Sequence, residues 1–331
     1  MRHGKSGVRL KATACAHAIQ GLLKYHGLKS RKQRLPYHDS ISVCAKELTT
    51  TATIEFDPRY AEDIVEINGS VTKGTEALRV LAVVNPLRKL GRTRDRFRLA
   101  SKNNLADAKG VGFSAAAFAS IALAASTALH LRMDSSHLSE FARLGAGSAS
   151  RSVVGGFAIW YANRDGRSYA RQLDDGTRVK LAMGIVPLAS NVKTDLAHEE
   201  SVSSPFFTAR VNQVKAALPR MLRAIRNGDV NEICSLAEAD SLSLHAVTMT
   251  GERGLVLLSP DTIKVIGRVR EMRENQGLPV WYSLDTGPSV FLNTQPEYLQ
   301  KVCDQIEKDT RLPVVKSDVG GPAHTIDQPL F

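Results

Sequence analysis

Hydrophobic and polar positions change period several times along the 331-residue chain. Val8 to Cys15 reads as a strand, and Ile41 to Phe56, dense in Thr, Val and Ile, as one or two more. Thr75 to Leu90 has a helical pattern, and Phe97 to Ser101 predicts a short strand. The turn-rich stretch Asn103 to Gly112 precedes an Ala-rich helix beginning near Ser114. Leu138 to Leu144 predicts a short helix, and Ser152 to Ala162 a turn that becomes a strand. Val186 to Pro205 is polar and carries two prolines. Two long helices are predicted beyond it, Phe206 to Asn227 and Val230 to Val247, the first distorted at Pro219. Ser259-Pro260-Asp261 supplies an N-cap, a first-turn proline and an acid, opening a helix to Asn275. Val280 to Asp285 and Val290 to Asn293 predict strands around a Thr-Gly-Pro turn. A helix, Pro296 to Thr310, and a strand, Leu312 to Ser317, complete the order. No repeat is visible, so the fold class is α+β, with one half over residues 1–187 and a smaller one over 188–331.

Composition narrows the class. With 43% hydrophobic and 23% charged residues the chain has the balance of an ordinary globular protein. Its most apolar stretch, Ser114 to Leu129, falls short of the roughly 18 residues of a membrane span. No apolar run follows the basic start Met1 to Lys11, so no signal peptide is expected and the expected location is the cytoplasm, with no membrane partner. The four cysteines, Cys15, Cys44, Cys234 and Cys303, lack metal-ligand spacing. They are expected to be free and buried, and no metal site is expected. The net charge of +11 raises the question of nucleic acid. Its basic residues are dispersed and no aromatic platform accompanies them, which argues against that partner. The densest patch, Arg88 to Arg98, reads as a helix end, a turn and a strand start. A basic surface also attracts a polyanionic small molecule.

Three segments carry candidate chemistry. In Arg143 to Phe157 small residues (Gly145, Gly147, Ser148, Ser150, Ser152, Gly155, Gly156) crowd around Arg151. Such residues let backbone approach a ligand, and a guanidinium can grip a carboxylate through two parallel hydrogen bonds. The same pattern also serves as a plain turn. In Trp281 to Pro288, Asp285 ends an apolar strand at a Gly-Pro turn, where burial would suit it to acid–base work or where it simply caps the turn. In Gln20 to Gly27, Lys24 follows an apolar pair and precedes Tyr25 and His26, an unusual setting for a surface lysine and a fitting one for a fixed cation.

Taken together, Lys24-Tyr25-His26-Gly27-Leu28, Leu35 to Val43 with Thr49 to Thr51, Asn103 to Phe118, Ala142 to Phe157, Ala239 to Ala246 and Leu284 to Ser289 resemble the mevalonate diphosphate decarboxylase family of the GHMP kinase superfamily. The resemblance spans nearly the whole chain. It implies a GHMP-kinase-like fold of two α+β halves with a deep cleft between them, a homodimer, and loss of a C3 phosphate together with carbon dioxide. It further implies Asp285, Lys24 and Arg151 as catalytic groups, with Asp285 acting at the C3 oxygen and Arg151 on the substrate carboxylate. Tyr25, His26, His38, Ser148 and Ser150 would line the substrate, and Ser114, Gly110 and Gly112 would bind phosphate.

Departures from the family pattern refine this expectation. Leu28 stands where the family motif has a second lysine, His26 replaces its tryptophan, and His38-Asp39 replaces Asn-Ser. These changes resemble an archaeal-type subgroup acting on mevalonate 5-monophosphate to give isopentenyl phosphate. The phosphate loop has lost its proline, gained Asp107, and carries Phe113 at a serine position. A ring and an extra carboxylate oppose a triphosphate. The expected substrate is therefore mevalonate 3,5-bisphosphate, decarboxylated without any cofactor. The alternatives are an ATP- and Mg2+-dependent phosphomevalonate decarboxylase, a diphosphomevalonate decarboxylase, or a GHMP small-molecule kinase.

Overall fold

The computed structural model describes residues 10–105, 111–189 and 194–331. The chain opens with the long strand β1 (Leu10–Leu23), then β2 (Leu28–Ser30), β3 (Leu35–Pro36), β4 (Ser40–Asp57), β5 (Ile64–Ile67) and β6 (Ser70–Val71). Helix α1 (Thr75–Leu90), strand β7 (Arg96–Asn103) and helices α2 (Phe113–Ala128), α3 (Ser135–Gly145) and α4 (Ala149–Val154) follow. Next come β8 (Phe157–Trp160), β9 (Ala170–Asp174) and β10 (Ala182–Val186). Helices α5 (Thr194–Ser203), α6 (Phe207–Asn227), α7 (Val230–Met249) and α8 (Pro260–Gln276) lead to β11 (Val280–Leu284) and β12 (Val290–Thr294). Helix α9 (Pro296–Thr310), β13 (Val315–Ser317) and β14 (His324–Thr325) complete the chain.

The first sheet runs β14-β1-β4-β7-β5-β6, and β8 and β9 extend it from the start of β4. Strand β4 is long enough to serve two neighbours on one side: Ser40–Val43 pair with β8 and Thr50–Asp57 with β7. The Ala-rich helix α2 lies on this sheet, and alanine's small side chain lets it approach β1 and β4 closely. Its Ala115, Ala116, Ala119 and Ala122 are fully buried. The second sheet, β11-β12-β10-β13, is antiparallel throughout and has its own core with α8 and α9. Strand β10 belongs to this second sheet although it precedes residue 187, and β14 returns to the first. Sheet membership therefore changes between β9 and β10.

The longer helices and about half of the strands follow the apolar spacing, and several local expectations are corrected. Strand β1 continues to Leu23, because Ala16 to Leu23 is buried on both faces and lacks the alternation that marks a strand. The expected turn at Ser152 is the end of α4, a short helix whose six residues are all buried. The polar segment after β10 contains α5. Helix α6 runs through Pro219 without interruption. Residues 1–9, Asp107 and Gly110 lie outside the described residues.

The four cysteines are free, three of them buried. In the basic patch, Arg88 and Arg96 both pair with Asp63, and Arg98 with Glu66. This local neutralisation fits a structural turn. Among the described residues no helix is long and apolar enough to cross a membrane, and no acid, histidine or cysteine group has the makings of a metal site.

Candidate active site

Strand β1 delivers Gly21 and, just past its end, Lys24 to the boundary between the two halves. Strand β11 delivers Ser283 and then Asp285 from the other side. The Gly21 N–H donates to both carboxylate oxygens of Asp285, at 3.1 and 3.3 Å. Only glycine permits this approach, since a Cβ there would stand 2.8 Å from Asp285 Oδ1 and 2.6 Å from Lys24 Cγ. The Ser283 hydroxyl donates to the Gly21 carbonyl at 3.2 Å, and Gln20 Nε2 donates to Asn293 Oδ1 at 3.0 Å. The halves are thus joined by hydrogen bonds directly beneath the carboxylate.

Lys24 is 4% exposed. Its ammonium donates to Ser241 Oγ and Ser283 Oγ, both at 3.0 Å, and lies 3.7 Å from Asp240 Oδ2. Burial pulls its pKa down, and the carboxylates of Asp240 and Asp285 oppose that pull. Asp285 keeps partial solvent access. Burial raises its pKa, while Lys24, the Gly21 N–H and Arg151 resist the rise. A carboxylate with increased proton affinity that remains reachable is suited to general-base work.

Arg151 projects from α4 and is 2% exposed. It donates to Ser40 Oγ at 2.6 Å and lies over the rings of Tyr25 and Trp160, 5.6 and 6.0 Å from their centroids. Burial lowers its pKa to about 10, so it stays charged at neutral pH. Its Nε has no protein partner among the described residues, which leaves donor capacity for a ligand. Tyr25 packs edge-on against Trp160 at 4.8 Å and stacks on His198 at 4.9 Å. Beside His198, a cavity of about 340 Å³ is lined by Leu28, Arg31, Arg34, Asp195 and Glu199 among others. Arg34 and Arg31 face Asp195 and Glu199 across it, at 3.1 and 2.9 Å.

The remaining expected residues divide by burial. Ser148 is half-buried at the N-cap of α4, three residues before Arg151, whereas Ser150 is fully buried and its hydroxyl donates to the Gly147 carbonyl within the turn. His26 and His38 are 1% and 5% exposed. His38 Nδ1 contacts the Asp39 carbonyl at 2.7 Å, and the ring nitrogens of His26 have no partner among the described residues. With His198 and His245 they form a set of buried imidazoles. Burial lowers all four pKa values, those of His38, His198 and His245 to about 4 and that of His26 well below its ordinary value.

At the α2 end, Gly112 holds the N-cap in the left-handed region (φ 80°), and a Cβ would meet the Ile19 carbonyl at 2.5 Å. Ser114 is exposed on the first turn. Phe113 is 8% exposed and packs in the main core. The helix turns that side chain inward and leaves the serine outward.

Sequence reading missed Arg210, Ser40, Trp160, Ser283 and His198. Arg210, 1% exposed in its side chain, donates to Asp240 Oδ1 at 2.6 Å, and removing one partner of such a buried pair costs about 3–5 kcal/mol. A signal was present in the spacing of α6: Arg210 stands four residues before Val214 and eleven before Met221, on the buried stripe, whereas Arg220, Arg223 and Arg226 fall on the exposed faces. Asp240 and Ser241 lie in a segment already noted, but their contact with Lys24 is made only in three dimensions.

Two α+β halves joined at a carboxylate–lysine–arginine group, with a glycine-started helix packed on the first sheet, define a GHMP-kinase-type enzyme fold. Residues 16–170 match the diphosphomevalonate decarboxylase-like N-terminal domain, and residues 195–319 the mevalonate 5-diphosphate decarboxylase C-terminal domain. The chain belongs to the mevalonate-phosphate decarboxylase family. It is 40% identical to a phosphomevalonate decarboxylase of Haloferax volcanii, over 96% of this chain and 98% of that one. It is 26% identical to a mevalonate 3,5-bisphosphate decarboxylase of Thermoplasma volcanium, over 94% and 83%. Among solved structures, the mevalonate diphosphate decarboxylase of Enterococcus faecalis, studied for mevalonate diphosphate-mediated ATP binding, superposes with a TM-score of 0.88. It is 26% identical, and the match covers 97% of this chain and all of that one.

Proposed function

We propose that this protein decarboxylates mevalonate 5-phosphate to isopentenyl phosphate, with ATP as phosphoryl donor. The observation that carries the reading is the mutual proximity of Asp285, Lys24 and Arg151, whose charges act on one another where β1, α4 and β11 end. Arg151 grips the substrate carboxylate, with Tyr25 and Ser148 bordering it. Asp285 takes the proton of the C3 hydroxyl as that oxygen is phosphorylated. The C3–O bond then breaks with its electron pair on the departing phosphate, and positive charge develops at C3. The C1–C2 bond electrons form the new double bond and carbon dioxide leaves. Lys24 offsets negative charge at the reacting centre, where exclusion of water strengthens the interaction. The cavity beside His198 offers room for the 5-phosphate, which would compete with Glu199 and Asp195 for Arg31 and Arg34.

Ser114 and the first-turn amides of α2 are the groups that would hold ATP phosphates, since a helix N-terminus offers unpaired N–H donors. ATP with Mg2+ would supply the phosphoryl group there. The inward packing of Phe113 supports this reading over nucleotide-free chemistry, as does the 40% identity to a relative named phosphomevalonate decarboxylase. A second reading, decarboxylation of the 3,5-bisphosphate without nucleotide, is favoured by Asp107 and by the absence of the loop proline. Release of carbon dioxide and phosphate, measured from the monophosphate with and without Mg-ATP and from the bisphosphate alone, separates them. Turnover of the monophosphate only with ATP is expected. Turnover of the bisphosphate but never of the monophosphate would leave the second reading.

A further inference from the structure

We propose that Arg210 and Asp240 are positioning residues for the decarboxylation: together they fix the backbone at Lys24 and hold its ammonium toward Asp285. The inference rests on the reading of Lys24 and Asp285 as catalytic groups. Asp240 uses its two oxygens differently. Oδ1 accepts from Arg210 Nη1 at 2.6 Å, while Oδ2 accepts the Lys24 backbone N–H at 2.9 Å and stands 3.7 Å from the Lys24 ammonium. Arg210 Nη2 donates to the Lys24 carbonyl at 3.0 Å. Both backbone polar groups of Lys24 are therefore held by one ion pair, at the point where β1 has ended and the strand ladder no longer fixes the chain.

From there the hydrogen bonds continue to the reacting end. The Lys24 ammonium donates to Ser283 Oγ, Ser283 donates to the Gly21 carbonyl, and the Gly21 N–H donates to Asp285. Loosening Arg210 or Asp240 frees the turn that carries both the lysine and the amide under the carboxylate. Packing alone does not account for a buried ion pair here, because apolar side chains of similar volume would join α6 to α7 at least as well. A charge at this place does what they cannot: the Asp240 carboxylate offsets the loss of water around the ammonium, and Arg210 claims part of that carboxylate.

The charged and titratable groups facing Lys24 are Asp240 and His245 from α7, Arg210 from α6 and Asp285 after β11. His26 and His38 face Arg210 in turn, and the low pKa of His38 and His245, about 4, keeps them neutral at the pH of the test. Asp240→Asn removes the opposing charge, so the alkaline limb of the kcat–pH profile should move down by about one unit or more. kcat should fall at least about tenfold with KM within about threefold, since a displaced ammonium affects the transition state more than ground-state binding. Arg210→Gln leaves Asp240 to Lys24 alone, so its limb should move up while kcat falls. Limbs that both stay within about 0.3 unit of the parent, or that move together, overturn the inference. If either variant fails to fold by circular dichroism, Asp240→Glu takes its place. Its longer side chain shifts the charge, and a limb unmoved by half a unit overturns the proposal. Lys24→Met separates the two levels. Activity retained by that variant would defeat the catalytic reading, whereas its inactivity beside unmoved limbs defeats the positioning role alone.

Discussion

Around Lys24, charge is dense: Asp285 is tied to Gly21 and Lys24 to Asp240 across the boundary between the halves, and Asp240 is tied in turn to Arg210 within the second half. At the α2 end the described groups are neutral and local, an exposed Ser114 beside a core-packed Phe113 and a left-handed Gly112. The first end is fixed by partners more than 200 residues apart in sequence, as in the Gly21–Asp285 bond. The second is fixed by where one helix begins. Residue changes therefore mean different things at the two ends. At the α2 end a change of residue type does not alter the site unless the helix points that side chain outward, and it points Phe113 inward.

The largest effect tests the charged end. Asp285→Asn keeps shape and removes charge, and should lower kcat by at least about a thousandfold, or about 4 kcal/mol of barrier, with little change in Tm. Carbon dioxide release within about tenfold of the parent would sink its role. The opposite outcome is expected at the other end: Phe113→Ser should cost about 3–5 kcal/mol of stability in a thermal or denaturant melt, because it empties a core position. Its ATP affinity by calorimetry should stay within about threefold of the parent. Unchanged stability with tighter ATP binding would restore the idea of a ring closing the site.

Arg151→Lys should reduce kcat/KM by about a hundredfold, since a point cation cannot reproduce a forked grip on a planar carboxylate. Unchanged kinetics would place the substrate carboxylate elsewhere. The smallest effect is spread over the imidazoles. Folded pKa values of about 4 lie below the unfolded value near 6.5, so the unfolded chain binds more protons between those limits. The stability associated with neutral His38, His198 and His245 is full above pH 6.5 and is lost as pH falls toward 4. Each histidine contributes up to about 1.4 kcal/mol per pH unit in that window. Denaturant melts at pH 7, 6 and 5 measure the slope, and His198→Gln should flatten it. An identical slope in that variant would show that His198 is already protonated or already wet.

By itself the sequence determined the longer helices and the α+β order, and it singled out three catalytic candidates, because apolar periodicity and motif chemistry are local properties of the chain. Lys24 was legible through its apolar neighbours, Asp285 through its strand-end Gly-Pro turn, and Arg151 through the small residues around it. Helix α1 follows its apolar spacing to the residue, from Thr75 to Leu90. Only the tertiary structure decided that β1 runs on to Leu23, that β10 joins the second sheet, and that Phe113 faces the core. Each depends on which face a neighbouring element covers, and no local pattern encodes that. The Arg210–Asp240–Lys24 contact is the extreme case. Its members come from α6, α7 and the end of β1, and no local pattern pairs them with one another. Burial alone turns them into a single electrostatic unit, because removing water makes each charge depend on the partner that folding brings to it.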